Sequence, residues 1–265
     1  MDLQLKGKRA LVTGSSAGIG AAIAKLIAAE GATVIVHGRD PERITAVANE
    51  IRASGGLAQV AMGDLGTEEG ADKVAQQALE NGPIDILVNN AGAYNPRPWS
   101  AVTIADWLES YNTNLVSHVR IIQKLLPQMR ELGWGRIIQI GSAAAIEPMA
   151  LQPEYNAATA ARHNMIVSLA RELKETGITC NTVSPGTILV ETTKQMVLGM
   201  ATQFNWGNSW EEIERNAIKQ MVPNDAGRFG KPEEIAGAVA YIASPFADFI
   251  TGSVIRVDGG LLRSF

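Results

Sequence analysis

Short apolar runs rich in β-branched residues alternate along the chain with longer amphipathic stretches. The pattern begins with RALVTG from residue 9, followed by a Gly-rich turn, the apolar-striped stretch SSAGIGAAIAKLIAAEG and a second run, TVIVHGR. Apolar runs of about four to eight residues indicate buried strands, whereas a hydrophobic period near 3.6 residues indicates a helix. The start of the chain therefore predicts a strand, a helix and a second strand.

The same alternation continues to the end of the chain. It predicts helix 41–54, strand 58–63, helix 67–81, strand 84–89, a long helix 103–132, strand 136–141, helix 153–176, strand 178–184, a helix near 232–244 and strand 253–257. Strands that alternate with helices of this length form βαβ units, whose parallel sheet is covered on both faces. Since such crossovers are right-handed, we predict an α/β fold with a doubly wound sheet.

The composition fits one domain of this kind. The 265 residues are 46% hydrophobic and 19% charged, which is enough for one large α/β core. No linker, repeat or low-complexity tract divides the chain, so we expect residues 1–265 to form a single domain.

The region 187–230 lies outside the regular alternation and is too long for a simple loop. Residues 187–223 carry an apolar and aromatic set, namely Met196, Met200, Phe204, Trp206 and Trp210. Such a set can adapt around an apolar ligand, so we expect a substrate lid here. The alternative is that these side chains pack on the sheet or on a neighbouring subunit.

Charge and residue usage exclude several classes of partner. The net charge of −4 gives no reason to expect nucleic acid or an anionic membrane. The N-terminus lacks the apolar core of a secretion signal, and no run approaches the ~18 apolar residues of a membrane span, so we expect a soluble cytoplasmic protein. The single cysteine, Cys180, fits a buried structural thiol. Because His37, His118 and His163 lack metal-ligand spacing, we expect no metal site.

The turn after the first strand carries the first candidate binding residues. It reads Thr13-Gly14-Ser15-Ser16-Ala17-Gly18-Ile19-Gly20. Glycines at this point let the N-terminus of a helix and its free N–H groups approach a pyrophosphate. The spacing G-x-x-x-G-x-G differs from G-x-G-x-x-G, so a Gly-rich turn without a ligand is the alternative.

Candidate ligand contacts also follow the next strands. Gly38 and Arg39 end the second strand, where an acidic residue would bind the ribose of NAD and a basic residue favours the 2′-phosphate of NADP. Asp40 is the counter-argument, because a carboxylate there can bind the ribose or partly neutralise Arg39. Asp64 and Leu65 follow the end of the third strand. There the Asp64 carboxylate either lies near the adenine of a ligand or caps the next helix.

Small and polar residues end the fourth strand and a tyrosine begins a later helix. The segment Asn89-Asn90-Ala91-Gly92 leaves room for a ligand beside the sheet. Ser142 precedes Tyr155 by thirteen residues, and Tyr155 starts an Ala-rich helix. A free phenol has a pKa near ~10, so proton transfer at neutral pH needs a neighbouring cation or hydrogen-bond donor.

Taken together, these motifs resemble the short-chain dehydrogenase/reductase family. They are TGSSAGIG, NNAG at 89–92, Asn114 within NTNL, Ser142, Tyr155, Asn181-x-x-x-Pro185-Gly186 and Val257-Asp258-Gly259-Gly260, in the family's order and over nearly the whole chain. The resemblance implies a Rossmann-like sheet of seven strands, a nicotinamide cofactor and hydride transfer between an alcohol and a carbonyl. It also implies a homo-oligomer, with a tetramer favoured.

The resemblance carries roles to individual residues. It implies catalytic roles for Asn114, Ser142 and Tyr155, and cofactor contacts for Gly14, Ile19, Gly20, Asn90 and Ile188. Ser142 would hold the carbonyl oxygen, Tyr155 would donate the proton, and Asn114 would anchor a water on the long helix. With Arg39 at the second strand, NADP(H) is favoured over NAD(H) as the cofactor.

This chain departs from the family at Thr159. The family has a lysine four residues after its tyrosine, where that lysine holds the nicotinamide ribose and favours the phenolate. Thr159 can hydrogen-bond a ribose but carries no charge. Arg162 lies one turn further on the same face and leans back toward Thr159. Either Arg162 supplies the missing charge, or it pairs with a carboxylate elsewhere and the site is weakened.

Two functions from different classes follow. The first is an NADP(H)-dependent reductase or dehydrogenase that acts on a small carbonyl or alcohol. The second is a dinucleotide-binding protein with little turnover, used as a sensor or a subunit. The enzyme is favoured, because hydride transfer needs only the cofactor and a polarised carbonyl, both of which are possible without the lysine.

The chain departs from the family at a second position. The family has threonine where this chain has Val190, although Thr192 and Thr193 stand close by.

Overall fold

The computed structural model describes residues 1–263. The strands in this range are β1 Arg9–Val12, β2 Thr33–Gly38, β3 Leu57–Met62, β4 Ile86–Asn89, β5 Gly135–Ile140, β6 Ile178–Pro185 and β7 Val254–Val257. The helices are α1 Gly18–Ala29, α2 Pro41–Ala53, α3 Glu68–Leu79, α4 Ile104–Tyr111, α5 Ser117–Leu132, α6 Pro153–Glu172, α7 Glu191–Phe204, α8 Trp210–Met221 and α9 Pro232–Ala243.

The strands form one parallel sheet in the order β3-β2-β1-β4-β5-β6-β7. This confirms the predicted doubly wound, Rossmann-like α/β fold with seven strands. The chain winds outward in one direction from β1 to β3 and in the other from β4 to β7. The carboxyl ends of β1 and β4 therefore flank the point where the winding reverses, and a crevice opens there in this class of sheet.

Two apolar layers cover the faces of the sheet. On one face α1, α2 and α9 pack with side chains such as Ile23, Ile44 and Val239. On the other face α3, α5 and α6 pack around Val74, Leu125 and other side chains, with Cys180 among them. Central strands are buried on both sides, which explains their continuous apolar runs. Burial raises the pKa of the Cys180 thiol to about 12, as a structural cysteine requires.

The predicted helix 103–132 is not a regular helix. A π-helical segment, Asn112–Val116, separates α4 from α5 and leaves the helical path continuous. One extra residue per turn shifts the side chains that follow, and such segments occur at functional sites. The 3.6-residue period of the flanking sequence gives no sign of this local change.

The irregular region 187–230 contains two helices, α7 and α8. They pack around a separate apolar cluster that includes Val197, Trp206 and Phe229. Ser209 begins α8 and forms a capping box with Glu212, a pattern that was readable in the sequence. In the described part of the chain, no helix has the length and apolar character needed to cross a membrane.

Candidate active site

A cavity of about 360 Å³ lies at the carboxyl ends of the strands, beside β1 and β4. Its polar wall includes Asn90, Asn114, Ser142, Tyr155 and Arg162, which come from four separate stretches of the chain. Its apolar wall includes Ile19, Ile188, Met196, Val197 and Val222. A mostly apolar pocket with a few convergent polar groups is the usual form of a small-molecule site.

The turn between β1 and α1 has the geometry of an anion-binding turn. Gly14 and Gly18 have positive φ angles of 63° and 55°. The first turn of α1 contains no acidic residue, and Ala17 provides no side-chain cap for it. The N–H groups at the start of α1 are therefore free to bind a phosphate, with the positive end of the helix dipole behind them.

Residues at the end of β4 hold this turn in place. The Thr13 hydroxyl accepts hydrogen bonds from the N–H groups of Asn90 and Ala91, at 2.9 and 3.0 Å. The Asn90 side chain donates to the carbonyls of Thr13 and Gly14. Asn90 thus joins the two strands at the point where the sheet reverses. The structure places the Asn90 side chain next to the Gly-rich turn, and its contact with a cofactor stays a prediction.

His37 supports the same turn from β2. Its Nδ1 accepts a hydrogen bond from the N–H of Gly14 at 3.0 Å, so Nε2 carries the proton toward the carbonyl of Gly63. Burial lowers the pKa of His37 to about 4. The ring is therefore neutral at physiological pH and serves as a fixed hydrogen-bonding bridge.

Arg39 lies at the far end of the turn, and its side chain is 78% exposed. Its guanidinium is 3.9 Å from the Asp64 carboxylate, a loose pair that a phosphate can displace. A Cβ on Gly38 would lie 3.3 Å from the Cβ of Ser16, so Ser16 stands beside this strand end. The Asp40 carboxylate accepts from the N–H groups of Glu42 and Arg43, which commits it to capping α2.

Asp64 and Leu65 lie at the end of β3 but do not cap α3. Thr67 caps that helix by accepting from the N–H of Gly70, so the alternative role of Asp64 as a cap was wrong. The Asp64 carboxylate instead accepts from the N–H of Gly66 in a tight turn. The Leu65 side chain is buried in the apolar core.

Asn114 lies on the π-helical segment, 1% exposed. Its amide nitrogen donates to the carbonyls of Ala93 and Ser110, and its oxygen accepts from the N–H of Ala93. The side chain therefore holds the segment after β4 against α4. A Cβ on Gly92 would lie 2.9 Å from the Asn114 oxygen, which explains why a glycine is needed there.

Ser142 and Tyr155 line the same wall of the cavity. Ser142 follows β5, and its hydroxyl accepts from the N–H of Ala144, which leaves its own proton for a further acceptor. Tyr155 lies in the first turn of α6 with its ring 5.5 Å from that of Tyr94. The pKa of Tyr94 is raised, first by burial and then by the neighbouring Tyr155.

Thr159 and Arg162 differ in what they present to the cavity. Thr159 is fully buried, and its hydroxyl donates to the carbonyl of Asn156 at 2.8 Å. It is not among the residues that line the cavity, and its contact with a ribose stays a prediction. Arg162 does line the cavity, 3% exposed, with its guanidinium carbon 5.8 Å from the centroid of the Tyr155 ring.

The other predicted contacts lie around the same opening. Gly92 lines the cavity, Ala91 packs just behind it, and Pro185, Gly186 and Ile188 form the side at the end of β6. Val190 lies between Ile188 and α7, and its side chain packs against Gly18. Within residues 1–263, no three His, Cys, Asp or Glu side chains cluster to hold a metal ion.

Among the cavity-wall residues that the sequence-based prediction missed are Tyr94, Gln152 and Phe229. Tyr94 lies two residues beyond the NNAG segment, so the logic of strand ends could have found it. Gln152 has a positive φ of 63° at the start of α6, which no sequence pattern indicates. Phe229 reaches the cavity only because α7 and α8 fold back over it.

Comparison with known proteins finds relatives that are oxidoreductases. A family model described as short chain dehydrogenase matches residues 8–200. An uncharacterized oxidoreductase of Bacillus subtilis is 38% identical over 267 residues, covering 100% of this chain and 99% of the relative. The 3-oxoacyl-(acyl-carrier-protein) reductase of Aquifex aeolicus is 38% identical over 264 residues, covering 98% and 100%.

Solved structures agree with these relatives along the whole chain. The L-sorbose reductase of Gluconobacter frateurii, in complex with NADPH and L-sorbose, superposes with a TM-score of 0.93 at 31% identity and covers 100% of both chains. A 3-oxoacyl-(acyl-carrier-protein) reductase of Agrobacterium tumefaciens with bound NADP has a TM-score of 0.88 at 38% identity, covering 97% and 95%.

Proposed function

The chain belongs to the short-chain dehydrogenase/reductase family, and we propose that it is a reductase that converts a carbonyl to an alcohol with NADPH. It is an NAD(P)-dependent oxidoreductase acting on CH–OH and C=O groups, as its relatives are. The observation that carries the proposal is one cavity wall. Ser142 and Tyr155, from two separate elements, line it together beside the Gly-rich turn of α1.

NADP is the cofactor that the structural relatives support. The residues of this chain fit it in two places. The uncapped start of α1, with Ile19 and Gly20, suits the pyrophosphate. Arg39 is exposed and only loosely paired, so its planar guanidinium is free to bind a 2′-phosphate by two hydrogen bonds. Bound NADPH supplies the hydride to the carbonyl carbon.

The protein's own residues would carry the remaining steps. We propose that Ser142 donates a hydrogen bond to the carbonyl oxygen, where negative charge develops. Tyr155 gives its proton to that oxygen and forms the alcohol. Asn114 holds the segment after β4 in position through Ala93, and the proposed water anchored by Asn114 would connect this region to solvent. Asn90 and Ile188 would flank the nicotinamide ribose.

We propose that Thr159 stands in this chain at the position of the family's active-site lysine. This part of the assignment rests on the spacing from Tyr155. The consequence is that Tyr155 has no lysine partner four residues further along α6. A dinucleotide-binding protein with little turnover remains the second candidate, favoured by the committed hydroxyl of Thr159.

Two further features belong to the proposal. Residues 187–223 would act as a lid, since Met196, Val197 and Met221 of α7 and α8 form one side of the cavity.

The protein would assemble as a homo-oligomer, most simply a tetramer, in which each subunit is a single domain. Sedimentation or light scattering at micromolar concentration tests the assembly, and a monomer mass contradicts it.

One experiment separates the two candidate functions. NADPH binding by fluorescence and NADPH oxidation with a panel of ketones, aldehydes and sugars are measured on the same sample. We expect saturable binding together with turnover for at least one carbonyl, and loss of turnover but not of binding in Tyr155→Phe. Binding without turnover across the panel would favour the non-catalytic protein.

A further inference from the structure

Arg162 is a buried cation without a carboxylate partner. Among residues 1–263, no Asp or Glu carboxylate lies within the 4.0 Å of an ion pair with it, and its Nε has no hydrogen-bond partner. Glu154, the buried carboxylate near the start of the same helix, is instead 3.8 Å from Arg97. Because a buried charge is costly unless it is paired, Arg162 needs a functional reason.

The surroundings of Arg162 preserve its charge for the cavity. The two nearest imidazoles, His118 of α5 and His163 of α6, are neutral, because burial and then the positive charge of Arg162 lower their pKa values to about 3 and about 4. Neither ring therefore adds a charge beside the guanidinium, and no carboxylate of the described chain lies within 4.0 Å of it. Burial lowers the pKa of Arg162 itself, but an arginine side chain stays protonated in proteins.

Tyr155 is the group that the guanidinium reaches. The two residues lie seven positions apart on one face of α6, both line the cavity, and the guanidinium carbon of Arg162 is 5.8 Å from the centroid of the Tyr155 ring. A Cβ on Gly92 would lie 3.8 Å from Nη1 of Arg162, so the guanidinium fills the space between the phenol and the end of β4. Thr159, between them on the helix, is turned to the helix backbone.

From this geometry we infer that Arg162 is the positioning residue that stabilises the phenolate of Tyr155 during catalysis, in place of a lysine at position 159. The inference rests on the proposed function. As the carbonyl carbon accepts a hydride from the reduced nicotinamide, the carbonyl oxygen takes the Tyr155 proton. The phenol O–H bond breaks, its electron pair stays on the phenol oxygen, and the resulting negative charge faces the guanidinium.

The alternative role for Arg162 is structural pairing. That role needs a carboxylate in contact, and the described chain supplies none. A role at a subunit interface conflicts with an exposure of 3% within one subunit. Arg162 as an anchor for an anionic substrate is a different outcome of the test. In that case, loss of the Arg162 charge would raise KM for an acidic substrate and leave the ionisation of Tyr155 unchanged.

The test removes the positive charge of Arg162 and keeps an apolar side chain of similar length at that position. In Arg162→Met we expect kcat to fall at least ~10-fold, which is about 1.4 kcal/mol of transition-state stabilisation, with the NADPH Kd changed by less than ~3-fold. Arg162→Lys should recover part of the rate. Arg171→Met, which removes an exposed arginine from the same helix, is the matched control and should change neither quantity.

A second readout does not depend on turnover. The tyrosinate absorbance that Tyr155→Phe removes should develop at higher pH in Arg162→Met than in the unchanged protein. The rate profile between about pH 6 and 9 should shift in the same direction. The titratable or charged groups on the elements packed around this pair include His118, His163, Glu154, Tyr94, Arg97, Asp106, Glu109, Tyr111, Arg136 and Cys180.

Those neighbours do not explain such a shift. His118 and His163 titrate far below this range, while the pKa values of Tyr94 and Cys180 are raised. Adding Thr159→Lys to Arg162→Met should restore the rate, whereas Thr159→Lys alone should not increase it. An unchanged tyrosinate titration in Arg162→Met overturns the inference even if no substrate is known. Absence of turnover in the unchanged protein, with the titration shift present, instead counts against the proposed reductase.

Discussion

The guanidinium carbon of Arg162 lies 5.8 Å from the centroid of the Tyr155 ring, two turns further along the same helix. Side chains of a helix lean toward its N-terminus, so a long arginine reaches back past one turn of about 5.4 Å. The intervening Thr159 does not compete for this space, since its hydroxyl is bonded to its own helix. The phenol therefore has a cationic neighbour, although the residue four positions after it is neutral.

Arg162→Met should raise thermal stability. The variant removes a buried charge that no carboxylate of the described chain compensates, and a methionine keeps most of the packing. We expect an increase of about 1 kcal/mol in the free energy of unfolding, or ~2–4 °C in Tm, measured by thermal and urea denaturation. Arg171→Met should leave Tm within about 1 °C. A Tm that falls in Arg162→Met would mean that the guanidinium makes net stabilising contacts in the fold.

Arg39→Ala should reduce the preference for NADPH over NADH. Loss of charge-assisted hydrogen bonds to the 2′-phosphate, worth about 1.5–3 kcal/mol, should weaken NADPH binding by ~10-fold or more. Binding of NADH should change little, because it has no phosphate there. Titration of both cofactors by fluorescence gives the ratio, and Arg52→Ala at the far end of α2 is the control. An equal loss for both cofactors would argue against a phosphate contact.

Gly20→Ala should disrupt the turn that precedes α1. A Cβ on Gly20 would lie 2.4 Å from the carbonyl oxygen of Gly14 and 2.5 Å from the Asn90 amide nitrogen, which forces the turn and the end of β4 apart. We expect NADPH binding to weaken ~10-fold or more. Gly237→Ala is the control, since a Cβ there meets nothing within 4 Å, and it should add about 0.5–1 kcal/mol of stability to α9.

Mild acid should destabilise the fold through its buried histidines. The pKa of His37 is lowered to about 4 and that of His118 to about 3, in each case mainly by burial, whereas an unfolded histidine titrates near ~6.5. The unfolded chain therefore binds more protons below that pH. The stabilisation is complete above about pH 6.5 and is lost as the pH falls toward the folded values, by at most ~1.4 kcal/mol per pH unit for each histidine.

Urea unfolding between about pH 7 and 5 measures this slope. In His37→Gln, which removes one titrating ring, the slope should be shallower by as much as one proton's contribution. A free energy of unfolding that stays constant over this range would contradict neutral buried rings. Carboxylates such as Glu234, whose pKa is lowered to about 2 by Arg228, lose their contribution at lower pH.

The segment of α7 and α8 should respond to ligands. If residues 187–223 close over the cavity, cleavage in the connection between α7 and α8 should slow when NADPH and a substrate are both present. Limited proteolysis followed by mass spectrometry locates the cut. NADPH alone and substrate alone are the controls, and cleavage at the same rate in all samples would argue against a closing lid.

Much of the fold was readable in the sequence, because strands and helices have local periods. Apolar runs separated by amphipathic stretches predicted the parallel sheet, and strand ends that share one edge placed the Gly-rich turn, Asn90 and Ser142 on the same side. The capping box at Ser209 was also readable, yet the region around it was predicted as irregular. In that region the helices pack on their own cluster rather than alternating with strands.

Only the tertiary structure decided which side chains reach the cavity. The sequence places Thr159 and Arg162 on one face of α6, but packing against the fold buries the first and leaves the second at the cavity wall. Among residues 1–263 it also leaves Arg162 without a carboxylate within ion-pair distance, since Glu154 lies against Arg97 from a segment more than fifty residues away. Helical periodicity is a property of neighbours along the chain, whereas the partner of a buried charge depends on residues that only folding brings together.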